Sequence, residues 1–142
     1  GYRRGVLFVG PSNLYSRELL PLDSQGSYRM SLDVTTITDG TDDKGSAVFA
    51  GVVFFDKDKN IIYQPQSHMF GVAWNNPVLR AAGRVSFSGI FSPTASGLNR
   101  IPPEARYMKV SIEVNYGDPR ASAILSSVKF APYSDAVPGE GK

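Results

Sequence analysis

Tyr107-Met108-Lys109-Val110-Ser111-Ile112-Glu113-Val114 decides the fold class. Met108, Val110, Ile112 and Val114 are apolar, and every residue between them is polar except Tyr107, an aromatic at the start of the polar set. Side chains alternate across a β-strand, so a period of two marks a strand with one face buried and one face wet. Tyr28 to Val34 repeats the pattern: Tyr28, Met30, Leu32 and Val34 alternate with Arg29, Ser31 and Asp33. Val85, Phe87 and Phe91 share one parity within Arg84 to Phe91, where Gly89 is expected to mark a bulge. Ile124, Val128 and Phe130 share another near the C-terminus. Gly5 to Val9, Asn13 to Leu20 and Ile61 to Tyr63 are shorter candidates. Together these make roughly eight strands, the number that builds an all-β, two-sheet antiparallel sandwich of the jelly-roll class. Asn76 to Ala82 is the best helical segment, but it is short and opens with Pro77, so one turn is the most it predicts.

Ala47 to Asp56 breaks the rule that a sandwich strand needs only one apolar face. Phe49, Val53 and Phe55 point one way, and Val48, Val52 and Phe54 the other. One set serves the core, and the other needs a cover: a loop, a neighbouring chain or a ligand. The reading places Val48, Val52 and Phe54 as a floor beneath the long loop Gln64 to Gly83. A second long loop runs from Ser92 to Ala105. Long loops in a small domain are often functional. Asp39-Gly40, Lys44-Gly45 and Gly117-Asp118-Pro119 supply turns.

The chain has 142 residues, enough for one domain with a real core. It is 42% hydrophobic and 20% charged, a globular balance, and its net charge of +2 is too small to announce a nucleic-acid partner. With no cysteine, disulfides, thiol catalysis and thiolate metal sites are excluded. No apolar run reaches the roughly 20 residues of a membrane-spanning helix, so membrane insertion is not expected. The abrupt start at Gly1 and the Pro- and Gly-containing segment 132–142 lead us to expect a sandwich domain over residues 1–131, excised from a longer protein, with a linker or tail after it.

Enzymatic signatures are sparse. His68 is the sole histidine, no Gly-x-Ser-x-Gly turn exists, and no glycine-rich segment runs into Lys-Ser or Lys-Thr. The acidic residues lie mostly where solvated turns put them, as Asp42, Asp43, Asp56 and Asp58 do, so no paired carboxylates stand out. Asp56-x-Asp58-x-Asn60 opens like a calcium loop, but Ile61 replaces the required glycine and Ser67 the bidentate glutamate, so the segment reads as a hairpin turn. No cofactor is expected. A structural calcium ion on scattered oxygens stays open, with Glu18, Asp23, Asp39 and Asp42 as candidate ligands.

Aromatics are the more informative group. Sugar rings stack their C–H faces on flat aromatics while amide, carboxylate and guanidinium groups take their hydroxyls. Trp74, followed by Asn75, Asn76, Arg80 and Arg84, offers that combination. Tyr107 points outward by parity, and Tyr116 and His68 lie in or beside loops. The candidate carbohydrate-binding residues are therefore Trp74, Tyr107, His68, Asn75, Arg80 and Tyr116, with Trp74 as a plug closing the sandwich end as the competing reading. Arg80, Arg84, Arg100, Arg106 and Arg120 would form a patch for an acidic polysaccharide if they met on one surface.

Ser16-Arg17-Glu18-Leu19-Leu20-Pro21-Leu22-Asp23, followed by Tyr28 to Val34, resembles the opening strands of jelly-roll carbohydrate-binding modules and galactose-binding-like domains. Phe54 to Ile61 is similar to that group's Asp-rich hairpin, Ile101-Pro102-Pro103-Glu104-Ala105-Arg106-Tyr107 to its lead into a late strand, and Val128-Lys129-Phe130 to its closing strand. The likeness runs from about Asn13 to Pro132. Many members carry an acidic pair before the closing strand, tied to structural calcium; Ser126-Ser127 stands there in this chain, which argues against calcium. The resemblance implies a non-catalytic module recognising a polysaccharide or cell-surface glycan. It also implies an extracellular, cell-surface or virion setting, because the domain type is appended to polysaccharide-active enzymes and phage tail fibres or tailspikes. The alternative is an assembly domain of a tail or surface protein, oligomeric through its parent, with Val48, Val52 and Phe54 packed on a neighbouring chain.

Overall fold

Burial along the chain follows the period of two read from the sequence. The computed structural model describes residues 5–37, 48–63, 83–115 and 121–134. Its strands are β1 (Val6–Val9), β2 (Ser12–Tyr15), β3 (Leu20–Pro21), β4 (Tyr28–Ile37), β5 (Phe49–Phe55), β6 (Gly83–Phe91), β7 (Tyr107–Val114) and β8 (Ser122–Pro132). Among the described residues these strands pair antiparallel throughout. Sheet I has the order β1-β8-β4-β6. In sheet II, β7 is central: β2 and β3 lie end to end along one side of it and β5 along the other. Among the described residues there is no α-helix, only a 3-10 turn at Gly97–Asn99. The helical turn expected at Asn76 to Ala82 lies outside the described residues.

The alternating strands behave as their patterns require. Met30, Leu32 and Val34 on β4 and Met108, Ile112 and Val114 on β7 are buried between the sheets. Phe54 of sheet II meets Phe91 of sheet I edge-on, with ring centroids 6.4 Å apart at 74°. Phe91 then abuts Phe130 at 6.1 Å, and Phe130 stacks on Tyr28 at 5.3 Å and 15°. Four rings thus run from one sheet into the other, in the offset and edge-on geometries that aromatic quadrupoles favour.

The doubly apolar strand resolves opposite to expectation. Val48, Ala50, Val52 and Phe54 are the core set, each at most 2% exposed, so they are neither a loop floor nor an assembly surface. The register explains it. Ala50, Val52 and Phe54 pair with Ile112, Val110 and Met108, the inward parity of β7, while Phe49, Gly51, Val53 and Phe55 pair with Glu113, Ser111, Lys109 and Tyr107. A strand apolar on both faces takes its inward face from its partner.

Four smaller expectations are also corrected. Gly89 marks no bulge: β6 pairs with β4 in unbroken register from Tyr28↔Phe91 to Thr36↔Gly83. The bulge lies in β8, where Asp33 faces Ser127 but Val34 faces Leu125, leaving Ser126 as the extra residue. It reverses the parity, so Ala123 and Leu125 join Val128 and Phe130 on the inward side and Ile124 turns outward. Asn13 to Leu20 is not one strand; it splits into β2 and β3, and Ser16 spans part of the gap by accepting the Val110 N–H on its hydroxyl at 3.0 Å. Ile61 to Tyr63 contributes only a bridge between Ile61 and Phe55.

Side chains fix the turns. The Asp56 carboxylate accepts the N–H groups of Asp58 and Asn60 at 2.9 and 3.0 Å, and Lys59 takes a left-handed φ of 65°, so the charged stretch is the hairpin turn expected of it. Asp23 accepts the Gln25 N–H, and its own N–H donates to the Tyr28 hydroxyl at 2.8 Å, tying the Asp23–Gly26 turn to the start of β4. β8 runs on to Pro132, and the Tyr133 N–H reaches the Ser27 carbonyl at 2.8 Å; the expected tail from residue 135 onward lies outside the described residues. Where the chain crosses from sheet I to sheet II, Gly10 adopts φ 75° and donates to the Ala121 carbonyl. Fully buried Asn115, itself at φ 56°, donates its side-chain amide to the Phe8 and Gly10 carbonyls at 3.0 and 2.9 Å.

Asn115→Ala strands both carbonyls in a crowded crossing and places alanine in the left-handed region. We expect it to lower stability by about 2–4 kcal/mol, read from the midpoint of urea denaturation. A loss below about 0.5 kcal/mol would show that the crossing does not depend on this amide.

Candidate functional site

The outer face of sheet II is set by the same register that buries the core. Reading across β2 or β3, β7 and β5, four rows share it: Asn13–Glu113–Phe49, Tyr15–Ser111–Gly51, Lys109–Val53, and Pro21–Tyr107–Phe55. Tyr15 is 59% exposed, and Phe49, Val53, Phe55 and Tyr107 are half-buried. Gly51 and Ser111 are buried, so small residues form a low floor beside Tyr15. The Tyr15 and Tyr107 rows stand four β7 residues apart, about 13 Å at a strand's rise. The face therefore carries aromatics in three rows, Phe49, Tyr15, and Tyr107 with Phe55, with a lysine, a glutamate and an asparagine placed among them. Apolar planes with a few fixed polar groups are the usual make-up of a small-molecule or oligomer site.

Tyr107 lies on the outer face, as its parity requires. Its ring is shared with the charged hairpin, because the Lys59 ammonium lies 5.6 Å from the ring centroid, within cation–π range. Of the other expected site residues, His68, Trp74, Asn75, Arg80 and Tyr116 all lie outside the described residues. Tyr15, Phe49, Phe55 and Glu113 were missed as site candidates. The sequence carries the signal: Tyr15 shares a parity with Asn13, and Phe49, Val53 and Phe55 form one apolar set. Assigning that set an outward direction required the β5–β7 register, which spacing within one strand does not contain.

Among the described residues the expected arginine patch is not assembled. Arg84 pairs with Asp33 at 2.9 Å on the outer face of sheet I. Arg106 spends its guanidinium on the Pro103 and Ala105 carbonyls at 2.9 and 2.8 Å. Arg100 donates to the Ala95 carbonyl and bridges to Ser92, beyond the end of β6 opposite to Arg84. Arg80 and Arg120 lie outside the described residues. Of the candidate calcium ligands, Asp23 serves its own turn, while Asp39 and Asp42 lie outside the described residues. Among the described residues no three His, Cys, Asp or Glu side chains gather as a metal site would need, and no helix is long and apolar enough to cross a membrane.

No protein-family model matches the sequence, and no curated protein matches it. Solved structures do match in fold. The CBM22-1–GH10 modules of a Clostridium thermocellum endo-1,4-β-D-xylanase, complexed with xylohexaose, superpose at TM-score 0.58 with 16% identity, over 94% of this chain and 22% of that one. The enzymatically active domain of tailspike protein 4 of bacteriophage CBA120 gives 0.56 with 11% identity, over 91% and 15%. The CBM22-1 xylan-binding domain of a Paenibacillus barcinonensis protein gives 0.52 with 12% identity, over 93% and 74%. The chain thus spans under a quarter of the xylanase and tailspike structures and about three-quarters of the xylan-binding domain. These likenesses bear out the jelly-roll sandwich read from the sequence.

Tyr15 projects from a sheet it does little to hold together. Tyr15→Ala is expected to shift the urea midpoint by less than about 0.5 kcal/mol equivalent, as exposed substitutions do. A loss of 2 kcal/mol or more would mark Tyr15 as a structural residue and remove it from the site.

Proposed function

We propose that this chain is a non-catalytic carbohydrate-binding module that holds an extended glycan along the outer face of sheet II. The observation that carries the reading is the set of rows on that face: Tyr15 and the Tyr107–Phe55 pair as two stacking positions about 13 Å apart at strand rise, with Asn13, Lys109 and Glu113 supplying polar contacts. That separation suits a chain of sugar rings better than one ring. Glu113 is the sole acid on these rows, whereas two-carboxylate glycoside hydrolysis needs a pair flanking the scissile bond, which favours binding over cleavage. Two of the fold likenesses are named for xylan or solved with xylohexaose, which supports a polysaccharide as the ligand class.

The reading places the protein outside the cell, at a cell surface or on a virion, as one unit of a larger protein. The small shares of the xylanase and tailspike chains that it spans support that setting. Assembly through Val48, Val52 and Phe54 is not retained, because those side chains fill the chain's own core. His68, Trp74, Asn75, Arg80 and Tyr116 remain proposed contributors, and no cofactor or calcium is required.

Titration calorimetry against a panel of soluble polysaccharides that includes xylan tests the reading. The parent should bind at least one, and Tyr15→Ala and Tyr107→Ala should each weaken that binding about tenfold, the 1–2 kcal/mol an aromatic anchor typically supplies. Ile37→Ala on the other sheet should leave it unchanged. Silence across the panel, or full affinity in both tyrosine variants, would refute this placement.

A further inference from the structure

The outer face of sheet I has a different chemistry. Register across β6, β4 and β8 aligns two rows of three polar residues, Ser88–Ser31–Lys129 and Ser86–Asp33–Ser127. Together they line an open depression in the surface. At about 4.8 Å between strands and about 7 Å between same-face neighbours, the six side chains cover roughly 10 by 7 Å, the footprint of a single sugar ring. The bulge at Ser126 lies immediately beyond Ser127, and bulges bend a strand and re-aim its side chains next to functional sites.

The partners are unevenly distributed. Asp33 is engaged, accepting from the Arg84 guanidinium and the Ser86 hydroxyl. No described residue satisfies the Ser31, Ser88 and Ser127 hydroxyls or the Lys129 ammonium. Charge is one-sided as well. Among the described residues on this outer face, Lys129, Arg84 and Arg29 are cationic and Asp33 is the sole acid. Arg29 lies in the row beyond Ser31, its guanidinium 4.9 Å from the Tyr133 ring centroid, and Arg84 is 46% exposed despite its ion pair. An ion-paired carboxylate among three cations leaves a net positive field over a hydroxyl-lined floor, which selects an anionic, polyhydroxylated ligand.

We propose that this depression is a second ligand site for one anionic sugar residue, whose carboxylate or sulfate is held by Lys129 while its hydroxyls meet Ser31, Ser88 and Ser127. The site shares the glycan reading of the protein but not its face, so either can fail without the other. Sheet II offers stacking planes along a groove; sheet I offers hydroxyls and charge over one ring and no exposed aromatic in these two rows.

The test is titration of the ¹⁵N-labelled chain, followed by amide shifts, with glucuronate and galacturonate disaccharides, a sulfated disaccharide, and a neutral disaccharide of the same linkage. At least one anionic sugar should move the Ser31, Ser88, Ser127 and Lys129 amides saturably while leaving Ser111 and Glu113 on sheet II in place. It should bind at least fivefold more tightly than the neutral one, and the uronate and sulfate arms identify which anion Lys129 takes. Lys129→Ala, on an exposed side chain, should cost at least fivefold in that affinity with the spectrum otherwise preserved, and Tyr15→Ala should cost nothing. Shifts confined to sheet II, equal affinity for neutral and anionic sugars, or unchanged affinity in Lys129→Ala would each overturn the second site.

Discussion

The edge-on contact between Phe54 and Phe91 is the constraint on which the rest of the structure depends. It is the point where sheet II meets sheet I through a strand that could have turned either face inward. With Phe54 inward, Val48, Ala50 and Val52 follow it into the core, and Phe49, Val53 and Phe55 must face out. Truncating a buried phenylalanine typically costs about 3–5 kcal/mol, a large part of a small domain's stability, so the orientation is firmly held. A slip of one residue against β7 would exchange the two faces of β5, taking Phe54 away from Phe91 and turning Phe49, Val53 and Phe55 inward. One aromatic pair therefore fixes both the core and the composition of the candidate ligand face.

The same register shows why much of the fold was legible in the sequence and where legibility stopped. β4 and β7 carry one polar and one apolar set, so their strand character and inward faces follow from the chain alone. β5 carries two apolar sets, and nothing within it says which is inward; that information lies in β7. β8 misled for a related reason. Ile124, Val128 and Phe130 share a parity in the sequence, but the extra residue at Ser126 breaks it, and a bulge filled by serine between two serine-containing segments leaves no compositional mark. Gly89 misled in the other direction, since glycine suits a bulge but also tolerates a regular strand.

Candidate site residues divide along the same line. The outward direction of Tyr107 is legible because it sits as the one aromatic in an otherwise polar set. That Tyr15, Phe55 and Glu113 share its face is not, because a sheet face is a property of several strands in register, and these three come from β2, β5 and β7. The described arginines form no patch for the complementary reason. Their shared charge suggested a common surface, but Arg84, Arg100 and Arg106 each answer to a local acceptor, a carboxylate in one case and backbone carbonyls in the other two. Guanidinium groups near carbonyl-rich turns are consumed by the fold before they are available to a ligand.

The proposed binding face is carried by strands, which has an energetic consequence that a loop-borne site would lack. Tyr15, Tyr107 and Phe55 rise from backbones already fixed by ladder hydrogen bonds, so a ligand need not bear the cost of ordering the chain that holds them. What remains to be ordered is side-chain rotamers and, at Tyr107, the Lys59 ammonium, which must share the ring or move aside. Lys59 is held at its backbone by the Asp56 turn, and its exposed side chain lays its ammonium against the ring. The hairpin that opens like a calcium loop thus serves as a turn that places one cation beside an aromatic plane, so a ligand stacking on Tyr107 would meet that charge at the ring.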